Sequence, residues 1–400
     1  MLKILFDWFI NVILMILFFK KRDDNIWLFG SWNGERYNDN SKYLFEYVVA
    51  NYPNIDAIWI TKNKEVKNKL LNKNRKCYLS NELIARKLRL NAGFVFFTNG
   101  LTDLGNYDLC HGSMKIYLSH GMNIKKLYYA TNKIKKRKNN FIRIAQYYFI
   151  KIYNDTHRDI TIATSKKTKE FLIESFEVPS EKVLITGLPR NDILFDKIIS
   201  DKLKNKLGHK SKERFILYIP TWRNFGQNES FLDNIIDSLF NDNTYMNELK
   251  EQGIKLYIKP HPRIRISSIS KGNVIILNTC SNLDTQELLA SADSIITDYS
   301  GVFIDYALRD KPIHFFVPDL DDYKTNGNDL FLNFEEFTDH IIKNLTSFKE
   351  TILDKDKIYS KQGIKNTEKI NSIFNSPFLE KGKYCETLIS VFENNNILKV

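Results

Sequence analysis

The stretch SIITDYSGVFIDYAL (residues 294–308) passes from a strand-like apolar run through a polar turn into a helix. The run at 294–300 predicts a buried strand that stops at the polar turn. The helix is expected to begin near Ser300, whose side chain can cap it. A strand that leads directly into a helix is the repeating unit of α/β folds built on parallel sheets.

The same unit recurs along the chain. Short runs typical of strands lie at 25–30, 56–61, 93–99, 114–120, 159–165, 182–187, 214–220, 254–260, 274–278 and 312–318, with helical segments between them. Continuous apolar strands alternating with helices predict parallel sheets covered on both faces. Two such sets, joined around residues 188–212, predict two doubly wound, Rossmann-type domains that face each other. Neither GxGxxG nor a P-loop sequence follows any strand, which argues against a dinucleotide dehydrogenase or P-loop enzyme.

The composition is that of a basic globular protein. Of 400 residues, 43% are hydrophobic and 26% charged, and 59 Lys and Arg against 47 Asp and Glu give a net charge of +12. This excess favours an acidic partner such as a nucleotide, a phosphorylated polymer, an anionic lipid or nucleic acid. The four cysteines, Cys77, Cys110, Cys280 and Cys385, form no CxxC pair. A metal site built on cysteines is therefore not predicted, and a reducing, cytosolic compartment is the simplest interpretation.

Two segments point to a membrane. Residues 1–19 are almost wholly apolar and are followed by the basic cluster 20–22. About 20 apolar residues can span a bilayer, but Asp7 equally suits a helix that lies in the membrane surface, and packing on the protein body is a third alternative. If the segment spans, the basic cluster keeps the remainder cytoplasmic. The segment 131–154 interleaves basic and aromatic residues and predicts either a solvated helix or a basic face for an anionic membrane.

Unusual polar residues fall at the carboxyl ends of the predicted strands, which is where open α/β sheets bind ligands. In KPHPR (259–263), two prolines restrict the backbone of His261 between two cations, an arrangement suited to an anionic ligand. The residues that end the other strands include His120, Gly121, Lys125, Arg223 and Asp298. Such residues at the same edge of two facing sheets predict one anion-binding site.

The turn at 298–301 predicts a phosphate cradle. The free backbone N–H groups of Gly301 and Val302 would point at a bound phosphate, and Gly301 leaves room for the approaching anion. Asp305, one helical turn later, is predicted to face the same cleft and accept hydrogen bonds from a ribose diol. The alternatives are that Ser300 is an ordinary helix cap and Asp305 a solvated helix residue.

The chain resembles the CDP-glycerol glycerophosphotransferases, the family of teichoic-acid primases and polymerases, from about residue 25 to about 375. The resemblance rests on six motifs taken together: GERYNDNSKYLFEYV (34–48), HGMNIKKL (120–127), TGLPRNDILF (186–195), YIPTWR (218–223), KPHPR (259–263) and TDYSGVFIDYAL (297–308). The family usually has Thr-Pro after the His-Gly, where this chain has Met122 and Asn123, a departure that bears on loop shape and acceptor choice. The sequence lacks the long N-terminal extension of the large polymerases, so we expect it to be more similar to a short primase or a capsule-locus relative.

The resemblance implies an α/β, GT-B-like fold of two facing Rossmann-type domains, and the apolar N-terminal residues add the expectation of a membrane-associating helix. The expected organisation is an apolar segment at 1–22, an acceptor domain at 23–190, a CDP-donor domain at 191–378 and a C-terminal helix or tail at 379–400. The expected reaction transfers glycerol phosphate from CDP-glycerol to a lipid-linked or polymeric acceptor and releases CMP. It would take place at the cytoplasmic face of the bacterial plasma membrane, in the synthesis of teichoic acid or capsular polymer.

The resemblance favours His120 and His261 as the essential pair, whereas the residues alone do not separate base from acid. Our hypothesis makes His120 the base that takes the acceptor proton, and His261 the group that holds or protonates the departing phosphate. The remaining expected substrate contacts are Gly121, Lys125, Arg223, Lys259, Arg263, Asp298, Ser300, Gly301 and Asp305. The sequence has no dedicated carboxylate cluster for a metal ion, although Mg²⁺ can enter with the diphosphate.

Three alternatives stay open at this point. The donor can be CDP-ribitol instead of CDP-glycerol, which makes the protein a ribitolphosphotransferase. The two-domain architecture also suits a GT-B glycosyltransferase or epimerase that uses a nucleotide sugar, since fold does not determine function. A basic protein that binds an anionic polymer or nucleic acid without catalysis is the third, but no nucleic-acid module is found in the sequence.

Overall fold

The computed structural model of the chain describes residues 22–105, 109–122, 124–131, 157–221, 231–261, 270–277, 283–326, 329–359 and 361–398, together with isolated residues at 9, 13, 144, 148 and 266. The predicted site residues Arg223 and Arg263 lie outside these ranges, as do nearly all of segments 1–19 and 131–154. Among the described residues, no helix combines the length and the apolar character needed to cross a membrane.

The first sheet has seven parallel strands in the order β3-β2-β1-β4-β5-β6-β7. The strands are β1 Asp23–Phe29, β2 Asp56–Thr61, β3 Cys77–Leu79, β4 Ala92–Phe97, β5 Met114–Tyr117, β6 Ile160–Ala163 and β7 Val183–Ile185. Its centre is aromatic: the rings of Phe29 and Phe96, on adjacent strands, stack at 4.7 Å with an interplanar angle of 8°. The chain fills one side of β1 first and then crosses to the other, so the order reverses between β1 and β4.

Helices connect these strands as the parallel pairing requires. They are α1 Asp39–Asn51, α2 Lys64–Leu71, α3 Leu83–Asn91 and α4 Lys166–Phe176. A further helix of this unit, α14 Tyr384–Asn394, connects no strands and comes from the C-terminal end of the chain. Helix α4 has a capping box in which the Ser165 hydroxyl accepts from the Thr168 N–H at 3.1 Å. The backbone N–H of Ser165 donates in turn to the Thr168 hydroxyl, which fixes the start of this helix.

The second sheet has five parallel strands in the order β10-β9-β8-β11-β12. The strands are β8 Arg214–Ile219, β9 Ile254–Ile258, β10 Val274–Ile276, β11 Ser294–Thr297 and β12 Ile313–Phe315. The accompanying helices are α5 Lys197–Lys206, α6 Phe231–Phe240, α7 Asn243–Glu251, α8 Thr285–Ser291, α9 Val302–Ala307, α10 Leu320–Asn326, α11 Leu345–Leu353, α12 Lys355–Ile358 and α13 Lys361–Phe374. Here the strand order reverses between β8 and β11.

The chain divides into two compact units. Unit 1 comprises residues 1–120, 127–192 and 378–400, and unit 2 comprises residues 121–126 and 193–377. The C-terminal segment thus belongs to the unit of the first sheet. The short piece 121–126, although it follows β5 of the first sheet, belongs to the unit of the second.

All eleven predicted strands are present, with ends within three residues of the predicted ones. Where a predicted strand extends beyond the observed one, most of the extra described residues form turn or coil. Strand β3 was not predicted, because its three residues carry no periodicity of their own and are ordered by pairing with β2.

Candidate active site

The switch point of the second sheet is braced by a buried carboxylate. Thr221 follows β8 and Asp298 follows β11, the two strands between which the order reverses. The backbone N–H of Thr221 donates to both carboxylate oxygens of Asp298, at 2.9 Å each, and Asp298 is fully buried. At the last residues of the same two strands, the Thr297 hydroxyl donates to the Ile219 carbonyl at 2.7 Å. These bonds hold the carboxyl ends of β8 and β11 together where doubly wound sheets bind ligands.

His261 emerges at the same edge of the second sheet. The backbone N–H of Lys259 donates to the Tyr218 carbonyl at 2.9 Å and so extends the β8–β9 pairing by one residue. Pro260 is buried directly after it, and His261 is half-buried. The imidazole therefore follows a backbone that is restricted by sheet pairing on one side and by proline on the other.

The turn after β11 differs from the prediction. Helix α9 begins at Val302, and its N-cap residue is Gly301, which makes no side-chain cap. Ser300 as the cap of this helix is therefore wrong. Gly301 already has helical dihedral angles (φ −66°, ψ −3°), and its carbonyl accepts the Ile304 N–H at 3.1 Å, so a backbone hydrogen bond closes the first turn. Ser300 and Gly301 are both half-buried at the sheet edge, and their contact with a phosphate stays a prediction.

Asp305 has a different environment from the predicted one. It is fully buried, and its Oδ2 accepts a hydrogen bond from Nε2 of Gln286, itself buried, at 3.3 Å. A solvated helix residue, the alternative interpretation, is excluded by this burial. The ribose contact stays a prediction, and it requires the Asp305 carboxylate to become accessible when the ligand binds.

An aromatic cluster next to this edge had no signal in the sequence. Tyr299 stacks on Tyr323 with ring centroids 3.5 Å apart and an interplanar angle of 11°. The Tyr299 hydroxyl donates to Oδ1 of Asp319 at 3.0 Å, and Nζ of Lys125 lies 5.7 Å from the Tyr323 ring centroid. Lys125 thus lies within unit 2, near the ring of Tyr323, which stacks on the residue that follows Asp298.

Lys125 reaches this cluster because residues 124–126 pair with residues 329–331. The Lys126 N–H donates to the Asp329 carbonyl at 2.8 Å, the Phe331 N–H donates to the Ile124 carbonyl at 2.7 Å, and Lys125 forms an antiparallel bridge with Leu330. The segment that carries Met122 and Asn123, where the chain departs from the family pattern, leads directly into this pairing. Met122 is 4% exposed and Asn123 lies outside the described residues.

His120 lies at the carboxyl edge of the first sheet, after β5, and its side chain is exposed. Gly121 follows with φ +120°, a conformation that disfavours any residue with a side chain. The His120 carbonyl accepts a hydrogen bond from Nη1 of Arg190 at 2.9 Å, so the backbone of the histidine is held from a distant part of the chain. Sequence reasoning missed Arg190, although it lies in the quoted motif TGLPRNDILF.

Tyr117, the last residue of β5, can be excluded as a proton acceptor next to this loop. Burial raises the pKa of the Tyr117 phenol to about 12, although the guanidinium of Arg158 lies 4.6 Å from its ring centroid and acts in the opposite direction. The phenol therefore stays protonated at neutral pH.

No group of three or more His, Cys, Asp or Glu side chains that could hold a metal ion occurs within the described parts of the chain.

Residues 12–378 match the family described as CDP-Glycerol:Poly(glycerophosphate) glycerophosphotransferase. The chain is 28% identical over 325 residues to a teichoic acid poly(glycerol phosphate) polymerase of Staphylococcus epidermidis, a match that covers 77% of this chain and 42% of that protein. A protein of the same description from Bacillus spizizenii is 24% identical over 393 residues, which cover 95% of this chain and 94% of that one. The chain thus spans less than half the length of the first relative and nearly all of the second.

A solved structure of the wall teichoic acid polymerase TagF superposes with a TM-score of 0.75 at 21% identity, covering 99% of this chain and 98% of that one. This likeness confirms the predicted α/β, GT-B-like class with parallel sheets.

Proposed function

Since this chain belongs to the CDP-glycerol:poly(glycerophosphate) glycerophosphotransferase family, we propose that it transfers glycerol phosphate from CDP-glycerol to a hydroxyl group of an acceptor and releases CMP. The observation that carries this proposal is the family match over residues 12–378, which includes both histidine motifs, 120–127 and 259–263. The acceptor belongs to teichoic acid synthesis, as the descriptions of both relatives indicate for those proteins.

The position of the two histidines supports the proposal. His120 follows β5 of the first sheet and His261 follows the pairing of β9 in the second, so each stands at the carboxyl edge of a parallel sheet. Both side chains are accessible, since His120 is exposed and His261 half-buried. An imidazole has a pKa near neutrality and so can accept or donate a proton at the pH of the cell.

In the proposed reaction, the acceptor oxygen forms a bond to the β-phosphorus of CDP-glycerol, and the bond from that phosphorus to the oxygen of CMP breaks. His120 takes the proton of the acceptor hydroxyl. His261 donates a hydrogen bond or a proton to the departing CMP phosphate. Such a transfer requires in-line positioning of the reacting groups and neutralisation of the phosphoryl charge. The restricted backbones of the two histidines contribute to the positioning.

Cations and backbone amides neutralise the charge on the phosphoryl groups. We assign Lys259 and Arg263 to the diphosphate beside His261, and Arg223 to a phosphate clamp. Ser300 and Gly301 provide backbone N–H groups at the edge of the second sheet, next to the brace formed by Asp298. Asp305 is assigned to the ribose. These residues are the donor contacts of the proposal.

On the acceptor side, we assign Gly121 and Lys125 as substrate contacts, because both lie in the segment that follows His120. Gly121 permits the turn of this loop with φ +120°. Lys125 keeps its amino group near the face of Tyr323 and can offer positive charge to a phosphate-bearing acceptor.

We further propose that the protein works at the cytoplasmic face of the bacterial plasma membrane, held by its N-terminal segment. Phe9 and Ile13 are helical, lie four residues apart and are 58% and 37% exposed, and Ile144 and Tyr148 repeat this spacing with 38% and 58% exposure. Exposed apolar residues one helical turn apart favour a membrane surface. Sedimentation with phosphatidylglycerol vesicles tests this: wild type should co-sediment and Phe9→Asp/Ile13→Asp should not, and equal co-sedimentation of the two proteins would contradict it.

The test of the function is release of CMP from CDP-glycerol by the purified protein, with and without a membrane extract that supplies acceptor. We expect release that depends on the acceptor, and a fall in kcat of roughly 10²–10⁴-fold for His120→Ala and for His261→Ala. His340→Ala is the matched control, because His340 is an exposed histidine to which no substrate contact is assigned, and the variant should keep wild-type turnover.

The donor panel separates the alternatives. Release from CDP-ribitol but not from CDP-glycerol would keep the reaction class and change the polyol. Turnover of a nucleotide sugar alone would contradict the proposal in favour of a glycosyltransferase or epimerase. Wild-type turnover in both histidine variants would refute the assigned chemistry.

A further inference from the structure

The loop that presents His120 is a strained turn. Ser119 has φ +58° and Gly121 has φ +120°, so the histidine lies between two residues in left-handed conformations. A left-handed residue with a side chain is disfavoured and persists only where the surroundings hold it. Side chains from elsewhere in unit 1 hold this turn through its carbonyl groups.

Three successive carbonyls of the turn accept hydrogen bonds from two side chains. Nδ2 of Asn40 donates to the carbonyls of Leu118 and Ser119, at 2.9 and 3.0 Å. Nη1 of Arg190 donates to the carbonyl of His120 at 2.9 Å. Every peptide from Leu118 to His120 is therefore fixed by a donor, while the imidazole itself stays exposed.

The two donors are themselves locked to each other and to Asp39. Nη1 of Arg190 forms a partly buried ion pair with Oδ1 of Asp39 at 2.9 Å, and the Arg190 N–H donates to Oδ1 of Asn40 at 3.1 Å. The Asn40 N–H donates to Oδ1 of Asp39 at 2.9 Å, and Nε1 of Trp32 donates to Oδ2 at 3.2 Å. Asp39, Asn40 and Arg190 form one closed network, which we call the loop clamp.

We propose that the loop clamp positions His120 for proton transfer, and that Arg190 and Asn40 are positioning residues of the reaction. The inference rests on the proposed function, in which His120 is the base. The clamp acts on the backbone of the histidine and touches no reacting atom. A displacement of the base by about 1 Å can lower the rate of an enzyme by roughly 10²-fold.

The experiment compares Arg190→Ala with Arg89→Ala, a matched control. Arg89 is a buried arginine of unit 1 that donates to the carbonyls of Ala85 and Ser80 instead of to the His120 loop. We expect Arg190→Ala to lower kcat by about 10–100-fold while KM for CDP-glycerol stays within about twofold of wild type. Arg89→Ala should keep kcat within about twofold at a temperature below its unfolding transition.

Two further measurements separate positioning from a merely structural role. Added guanidinium at millimolar concentration should restore part of the lost kcat of Arg190→Ala, because it can donate to the freed carbonyl. The near-isosteric Asn40→Asp variant should also lower kcat, since it places carboxylate oxygens against two carbonyl oxygens.

The outcomes are distinguishable from a failure of the proposed function. If His120→Ala is strongly impaired but Arg190→Ala and Asn40→Asp turn over like wild type, only the positioning inference is refuted. An equal loss of kcat in Arg89→Ala would also refute it, by making the effect one of stability. If His120→Ala keeps wild-type turnover, the base assignment is wrong and the inference is refuted with it.

Discussion

Gly187 is the position at which a single methyl group should damage the packing of the C-terminal helix. The residue has φ +73°, and a Cβ atom built there would lie 2.2 Å from Cδ1 of Tyr384, the first residue of α14. Tyr384 is 3% exposed, and its N–H is held at 2.6 Å by Oδ1 of Asp192. The ring therefore cannot turn aside without loosening the docked start of α14.

The expected cost of Gly187→Ala has two parts. A residue with a side chain in a left-handed conformation costs roughly 1–2 kcal/mol relative to glycine. Overpacking that forces a buried ring to shift costs roughly 1–3 kcal/mol more. The sum, about 2–5 kcal/mol, corresponds to a fall in Tm of roughly 4–20 °C at about 2–4 °C per kcal/mol.

Calorimetry of the purified variants is the assay, and Gly208→Ala is the control. Gly208 has φ +60° and no atom within 4 Å of a Cβ built there, so its substitution carries the backbone cost alone. The Tm of Gly187→Ala should therefore fall further than that of Gly208→Ala. Tyr384→Ala should remove this difference in a double-mutant cycle. Equal falls in Tm for the two alanine variants would refute the steric part of the reasoning.

Three other predictions concern buried titratable groups. Burial lowers the pKa of His314 to about 4, below the ordinary 6.5, so the folded state binds fewer protons than the unfolded state. Up to about 3 kcal/mol of stability is therefore lost as pH falls from 6.5 towards 4. His314→Gln should flatten the dependence of Tm on pH across that window, and an unchanged slope would contradict the prediction. Burial raises the pKa of the Cys77 thiol to about 12 and holds that of Cys385 well above its ordinary value. Both thiols should therefore stay unmodified when the native protein is treated with a thiol reagent at pH 8, as measured by peptide mapping. Rapid labelling of either cysteine would contradict this. Asp298→Ala should lower the free energy of unfolding by about 1–3 kcal/mol, because the Thr221 N–H loses its acceptor; denaturant unfolding checks this, and a stability equal to wild type would show that the brace is dispensable.

The strands of both sheets were predictable from the sequence, because central parallel strands are buried on both faces and so appear as continuous apolar runs. In β4, for example, all six residues from Ala92 to Phe97 are buried. Strand β3 escaped prediction because its residues Cys-Tyr-Leu form no run of β-branched residues, whereas the equally short edge strands β7 and β10 have the sequences VLI and VII. The candidate histidines could also be found, because a polar residue directly after an apolar run stands out locally.

The sequence by itself determined the parallel α/β architecture and the residues that end the strands, since each of these depends on neighbours within about ten positions. It also indicated the family, through six short motifs taken together. Tertiary structure decided how those residues are held. Arg190 meets the His120 carbonyl across 70 positions and Asp39 across 151, and residues 124–126 pair with residues some 200 positions away. Burial of Asp305 against Gln286 was decided in the same way. Local periodicity carries no record of which distant side chain supplies a donor or an acceptor, because that choice is made only when the sheets fold and bring the loops together.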